Sequence, residues 1–161
     1  MRVLGVALLS GVVILGACGG GESQNAVPEA APSATPAAAP AGTATFAPIT
    51  GTIHEVKMIG DGQVFRYDPA TITAKPGDGI KFVMISLGPH NVAFDPAVIP
   101  ADQKAQLWAN MGPNSMDGSS PMLITENEEF TLSLGNLKPG TYPFFCTPHL
   151  AMNMRGEFII Q

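Results

Sequence analysis

Charge is scarce in this chain, and what there is leans acidic. Lys and Arg total 8 against 13 Asp and Glu in 161 residues, a formal net charge of −5. No basic cluster stands anywhere in it, which argues against nucleic acid as a partner and favours one with a basic docking face. Cysteine is scarcer still, with Cys18 and Cys146 the only two. A disulfide framework is therefore excluded, and a single Cys18–Cys146 bridge would tie up a thiol that sits among other potential metal ligands. Histidine is limited to His54, His90 and His149. The apolar run Val3–Ala17 is shorter than the about 20 residues a membrane-spanning helix needs. No internal repeat is visible. Glycine and proline, at 18 and 15 residues, are abundant, which suits a protein of strands and turns better than a helical one.

The N-terminus reads as a processing signal. Arg2 supplies a positive start, the apolar run follows, and Leu15-Gly16-Ala17-Cys18 closes it. That ending resembles the lipobox of bacterial lipoproteins, in which the cysteine is lipidated and becomes the mature N-terminus. The resemblance implies a signal peptide over 1–17, lipidation at Cys18, and an extracytoplasmic protein held at a membrane on the periplasmic side or cell surface. An ordinary secretory signal is the alternative, and it leaves Cys18 unexplained. Gly19–Pro48 then draws 24 of its 30 residues from Ala, Pro, Ser, Thr and Gly. Such a segment lacks the apolar bulk that offsets ordering entropy, so 18–48 is expected to be a disordered tether. Its reach lies between about 30 Å as a coil and about 90 Å as polyproline.

Residues 50–161 form the expected folded domain. Ile80–Ile85 is apolar on both faces, as in a buried strand. Phe130, Leu132 and Leu134 alternate with Thr131, Ser133 and Gly135, as in a half-buried one. Thr141–Phe145 and Gly156–Ile160 read as two more. Turn residues fall at Gly60-Asp61-Gly62, Pro76-Gly77-Asp78-Gly79 and Lys138-Pro139-Gly140. Pro100–Asn110 is the one helical stretch. The spacing predicts an all-β Greek-key sandwich with a single short helix in an insertion. His54 is expected to face solvent on the first strand.

Chemistry concentrates in Cys146-Thr147-Pro148-His149-Leu150-Ala151-Met152-Asn153-Met154, with His90 supplied from Gly88-Pro89-His90-Asn91 far upstream. One thiolate, two imidazoles and a thioether can form a trigonal copper site with a weak axial sulfur. Soft sulfur suits Cu(I) and nitrogen suits Cu(II), so a mixed set can serve both oxidation states. A zinc site would call for closed tetrahedral ligation by more cysteines or histidines than the chain has to spare. Cys146 as an inert buried thiol is the plainer alternative, weakened by His149 three residues away. Either Met152 or Met154 has the reach to be the axial donor. Asn91 either satisfies a turn or ties the His90 segment to the ligand loop.

The order His-Asn, a long interval, then Tyr142-Pro143-Phe144-Phe145-Cys146 through Met154-Arg155-Gly156 resembles the plastocyanin-like cupredoxins. Lys75-Pro76-Gly77-Asp78 and Leu137-Lys138-Pro139-Gly140-Thr141-Tyr142 resemble turns of the same family. The resemblance covers roughly Thr50 to Gln161. It implies copper as the cofactor, with His90, Cys146, His149 and Met154 as ligands, and Asn91 and Thr147 anchoring the ligand loop through hydrogen bonds. It also implies a monomeric electron carrier rather than an enzyme, serving redox proteins such as a cytochrome or a membrane electron-transfer complex. The stretch from Asp95 to Met122 is longer and richer in methionine than in plant plastocyanins. Met111, Met116 and Met122 are expected to fill core or pack loops. With Met152 they could form a labile Cu(I) site, the mark of a copper carrier or storage protein.

Overall fold

The computed structural model describes residues 43–161. The expected signal peptide, Cys18 and the tether up to residue 42 lie outside the described residues. Seven strands are described: β1 (Ile53–Gly60), β2 (Phe65–Asp68), β3 (Thr71–Ala74), β4 (Gly79–Met84), β5 (Glu129–Ser133), β6 (Gly140–Phe145) and β7 (Arg155–Ile160). They form two sheets, ordered β2-β1-β4-β5 and β3-β7-β6. β1 runs parallel to β4, and β3 runs parallel to β7. The expected two-sheet β fold is thus present, with the helix α1 (Ala101–Asn110) in the long connection between β4 and β5.

Local sequence explains the elements. Val56, Met58, Ile80, Phe82 and Leu132 of the first sheet are buried, as are Ile72, Tyr142, Phe144, Phe158 and Ile160 of the second. The two inner faces meet edge to face, with Phe144 5.3 Å from Phe82 and 4.8 Å from Tyr67 between ring centroids. Aromatic side chains favour such crossings because the edge of one ring is positive and the face of the next negative. β3 and β4 are joined by a tight turn in which Asp78 donates its N–H to the Lys75 carbonyl. Pro76 presets the first central position, and Gly77 supplies the positive φ of 91° at the second.

Register defines two poles. One holds Gly60, Phe65, Met84, Phe145 and Arg155; the other holds Ile53, Gly79, Ser133, Gly140 and Ile160. The candidate ligands gather at the first, and two expectations fail at the second. His54 does not simply face solvent: its Nε2 lies 2.9 Å from Asp78 Oδ2, because the parallel pairing of β1 with β4 brings the β3–β4 turn against the start of β1. The tether, expected to run to Pro48, is already packed from Thr45. The Thr45 carbonyl accepts from Gln106 Nε2 at 2.9 Å, Ala47 N–H donates to Asn110 Oδ1 at 3.1 Å, and Ser133 Oγ donates to the Ala47 carbonyl at 2.6 Å. An Ala/Pro composition does not reveal that α1 and β5 offer polar partners to the backbone.

Candidate metal centre

Cys146 closes β6 and Met154 precedes β7, so both are fixed by the hairpin those strands make. Cys146 N–H donates to the Met154 carbonyl at 3.1 Å. Within the loop, Met152 and Met154 both donate their N–H to the His149 carbonyl, at 3.0 and 3.2 Å, around a single 3-10 turn over Leu150–Met152. Asn153 ends that turn at φ 61°, a left-handed conformation that Asn tolerates better than most residues.

His90 arrives from outside the sheets. Its segment pairs only through isolated bridges, His90 to Leu123 and Ala93 to both Ser119 and Phe145. Irregular neighbours on both sides prevent a continuous ladder there. The His90 Nε2 lies 2.9 Å from the Ser86 carbonyl. A carbonyl only accepts, so Nε2 carries the proton and a neutral ring leaves the Nδ1 lone pair free. That Nδ1 lies 3.7 Å from Cys146 Sγ, and His149 Nδ1 lies 3.4 Å from the same sulfur. All three ligating atoms fall within 4.8 Å of one another.

Burial sets the charge states. His90 and Cys146 are fully buried and His149 is 7% exposed. Loss of solvation lowers the pKa of both imidazoles, and the neighbouring His90 lowers that of His149 further. Burial also pushes the Cys146 thiol up, against the backbone N–H groups of Asn91 and His149, which favour the thiolate. Neutral imidazoles are ready to ligate, and the thiolate is the form that binds metal. A bound cation would stabilise the thiolate, since a coordinating thiol is deprotonated outright. A first-row metal about 2.0 Å from imidazole nitrogen and about 2.3 Å from sulfur places those atoms somewhat under 4 Å apart, as they are here.

The loop is pinned from outside by Asn91. Its Oδ1 accepts from Thr147 N–H at 2.8 Å, while Nδ2 donates to Thr147 Oγ1 at 3.1 Å and Ser119 Oγ at 2.9 Å. The tie between the His90 segment and the loop is therefore present. Ser119, Ser86 and Tyr67, whose hydroxyl donates to the Asn91 carbonyl at 2.6 Å, join it without any signal in the sequence. Phe65 also went unread: its ring stacks on His149 at 3.8 Å and 9°, a contact spanning most of the domain in sequence. Of the two candidate axial methionines, Met154 is fully buried and Met152 is 53% exposed. In the insertion Met111 fills core as expected, while Met116 and Met122 are exposed.

The chain is similar to known proteins across this whole domain. Residues 54–161 match the model of the copper binding proteins of the plastocyanin/azurin family. It is 32% identical over 115 residues to a plastocyanin of Prochlorothrix hollandica, covering 71% of this chain and 78% of that one. A plastocyanin of Dryopteris crassirhizoma is 33% identical over 98 residues, covering 60% and 89%. The oxidised structure of the Dryopteris protein superposes with a TM-score of 0.54 at 28% identity, spanning 66% of this chain and 99% of that one. This chain belongs to the plastocyanin/azurin family of copper-binding proteins.

Proposed function

We propose that this protein carries single electrons between extracytoplasmic redox partners, with one copper ion held by His90, Cys146, His149 and Met154. Bound copper supplies one-electron cycling between Cu(II) and Cu(I). The observation that carries the reading is a buried thiol facing the Nδ1 atoms of two imidazoles, His149 at 3.4 Å and His90 at 3.7 Å. Two strands and the Asn91 hydrogen bonds hold these groups in place, which suits a site that must change little between oxidation states. Four protein ligands leave no open position for a substrate, so a carrier is favoured over an enzyme.

His149 is the port in this reading. Its ring comes from the loop, and the exposed Leu87, Leu150 and Met152 ring the same pole. Transient redox interfaces are small, apolar at the centre and electrostatically steered, which suits a cytochrome or a membrane electron-transfer complex with a basic face. Lipidation of Cys18 would keep the carrier at the membrane. The exposed Met116, Met122 and Met152 lend some support to a second role in copper delivery.

Two sets of variants test the reading. Cys146→Ser should abolish the intense visible band of the copper-loaded protein while leaving a folded sandwich; a variant that stays blue overturns the ligand assignment. Met154→Gln should lower the reduction potential and Met154→Leu should raise it, because a weak thioether is replaced by a harder donor or by none. Met152→Leu should change neither potential nor spectrum. A large shift confined to the Met152 variant would give the axial role to Met152. Retention of copper against a strong chelator, with reversible bleaching by a mild reductant, separates carrier from delivery protein.

A further inference from the structure

Beside the metal pole, on the outer face of the β6–β7 hairpin, lies a cleft of about 330 Å³. Pro143, Phe144, Phe145, Gly156, Val98 and Leu150 line it, together with Asp95 and Arg155. Its size falls in the range of small-molecule sites, about 300–1,000 Å³, and its mainly apolar lining with few charged groups is typical of them. Position sets it apart from an ordinary surface dent. Phe145, Leu150 and Arg155 are the chain neighbours of Cys146, His149 and Met154.

The lining carries one charge of each sign. Asp95 Oδ1 accepts from Ala97 N–H at 2.8 Å, so that carboxylate is partly engaged by its own turn. Arg155 is exposed and makes no ion pair among the described residues. Asp95 likewise makes no ion pair and keeps its charge, and the one cation lining the cleft is a guanidinium, which presents paired N–H donors to a planar anion and stacks on aromatic surfaces. We propose that this cleft is a binding site for a small aromatic anion, its flat apolar body on Pro143, Phe145 and Val98 and its anionic head on Arg155.

The test uses 8-anilinonaphthalene-1-sulfonate, an aromatic anion whose fluorescence rises on entering an apolar site. It is titrated into the full chain freed of metal, so the readout does not depend on copper or on electron transfer. One probe per chain should bind, more weakly as salt is raised. Arg155→Gln should weaken binding at least tenfold and flatten the salt dependence. Val98→Asp should weaken it similarly. Both side chains are exposed, so neither change disturbs the core. Phe46→Ser, in the separate groove beside Trp108 and Pro113, should leave binding intact. The proposal is overturned if the wild type does not bind, if Arg155→Gln and Val98→Asp bind as the wild type does, or if only Phe46→Ser loses binding.

Discussion

Each pole of this sandwich holds histidine in a hydrogen-bonded cluster, and the two poles use it in opposite ways. At the far pole His54 meets a carboxylate. Asp78 Oδ2 accepts from His54 Nε2 and Lys75 N–H, each at 2.9 Å, and its Oδ1 accepts from Thr52 N–H at 2.8 Å. These bonds, the one from His54 first, hold the Asp78 carboxyl at a pKa of about 2. At the metal pole His90 and His149 meet a thiol, and among the described residues no Asp or Glu joins their cluster. One cluster is complete as it stands and works as a clasp between β1 and the β3–β4 turn. The other brings a thiol and two imidazole nitrogens together, a donor set that a bound cation would complete. A histidine's neighbours, more than its burial, thus separate a structural role from a ligating one.

The largest expected effect falls on the brace between the two halves of the metal pole. Asn91→Ala removes three hydrogen bonds and leaves Thr147 N–H, in a part-buried position, without its partner. A loss of about 3 kcal/mol follows from stranding buried polar groups, measured by denaturant unfolding of the metal-free protein. The same variant should release copper faster to a chelator, since the ligand loop loses its tie to the His90 segment. Destabilisation with unchanged copper release would reduce Asn91 to a fold residue and erase the contrast between the poles.

Asp78→Asn is the matching test at the far pole. An amide offers one acceptor oxygen where the carboxylate uses both, so either Thr52 or the Lys75–His54 pair loses its acceptor. About 2 kcal/mol should be lost near neutral pH, with visible spectrum and potential unmoved. The sign with pH follows from the depressed pKa. A carboxylate at about 2 folded and 3.8 unfolded stabilises fully above 3.8, and its contribution fades as pH falls through about 2. Unfolding curves of wild type and variant should therefore converge in that window. A difference that persists below pH 2, or a shifted spectrum, would break the separation of the poles.

Legibility divides along the same line. Cys146, His149 and Met154 share one loop, so their spacing was on the page, and β4, β5, β6, β7 and α1 followed from local periodicity. The Asn91 tie was one of two readings, and the structure brings its two partners together. Contacts made only by folding were not legible. Phe65 on His149 joins β2 to the β6–β7 loop, while Ser86 on His90 and Ser119 on Asn91 meet within the irregular connection between β4 and β5, where no periodic pattern marks a partner. His54 was misread for that reason, since its partner comes from a turn that reaches it only through parallel pairing. The docking of Thr45–Ala47 on α1 was hidden by a backbone-mediated contact, to which composition is blind.

The smallest effect concerns the surfaces of the two poles, which differ in what they offer another molecule. Leu150 is 37% exposed and Met152 53%, beside His149; at the far pole Ile53 is equally open at 52%, beside no redox group. Electron self-exchange between oxidised and reduced copies probes this difference without a named partner, because two ports must meet face to face. Leu150→Glu places like charges across that encounter and removes apolar contact at its centre, so self-exchange should slow about tenfold, equivalent to about 1.4 kcal/mol. Raised salt should restore part of the rate by screening the repulsion. The visible band should not move, because Leu150 is not among the proposed ligands. Ile53→Glu adds the same charge at the far pole and should leave the rate within twofold. Equal slowing by both variants would mean that net charge alone governs the encounter, and an unchanged rate in Leu150→Glu would take the port away from His149.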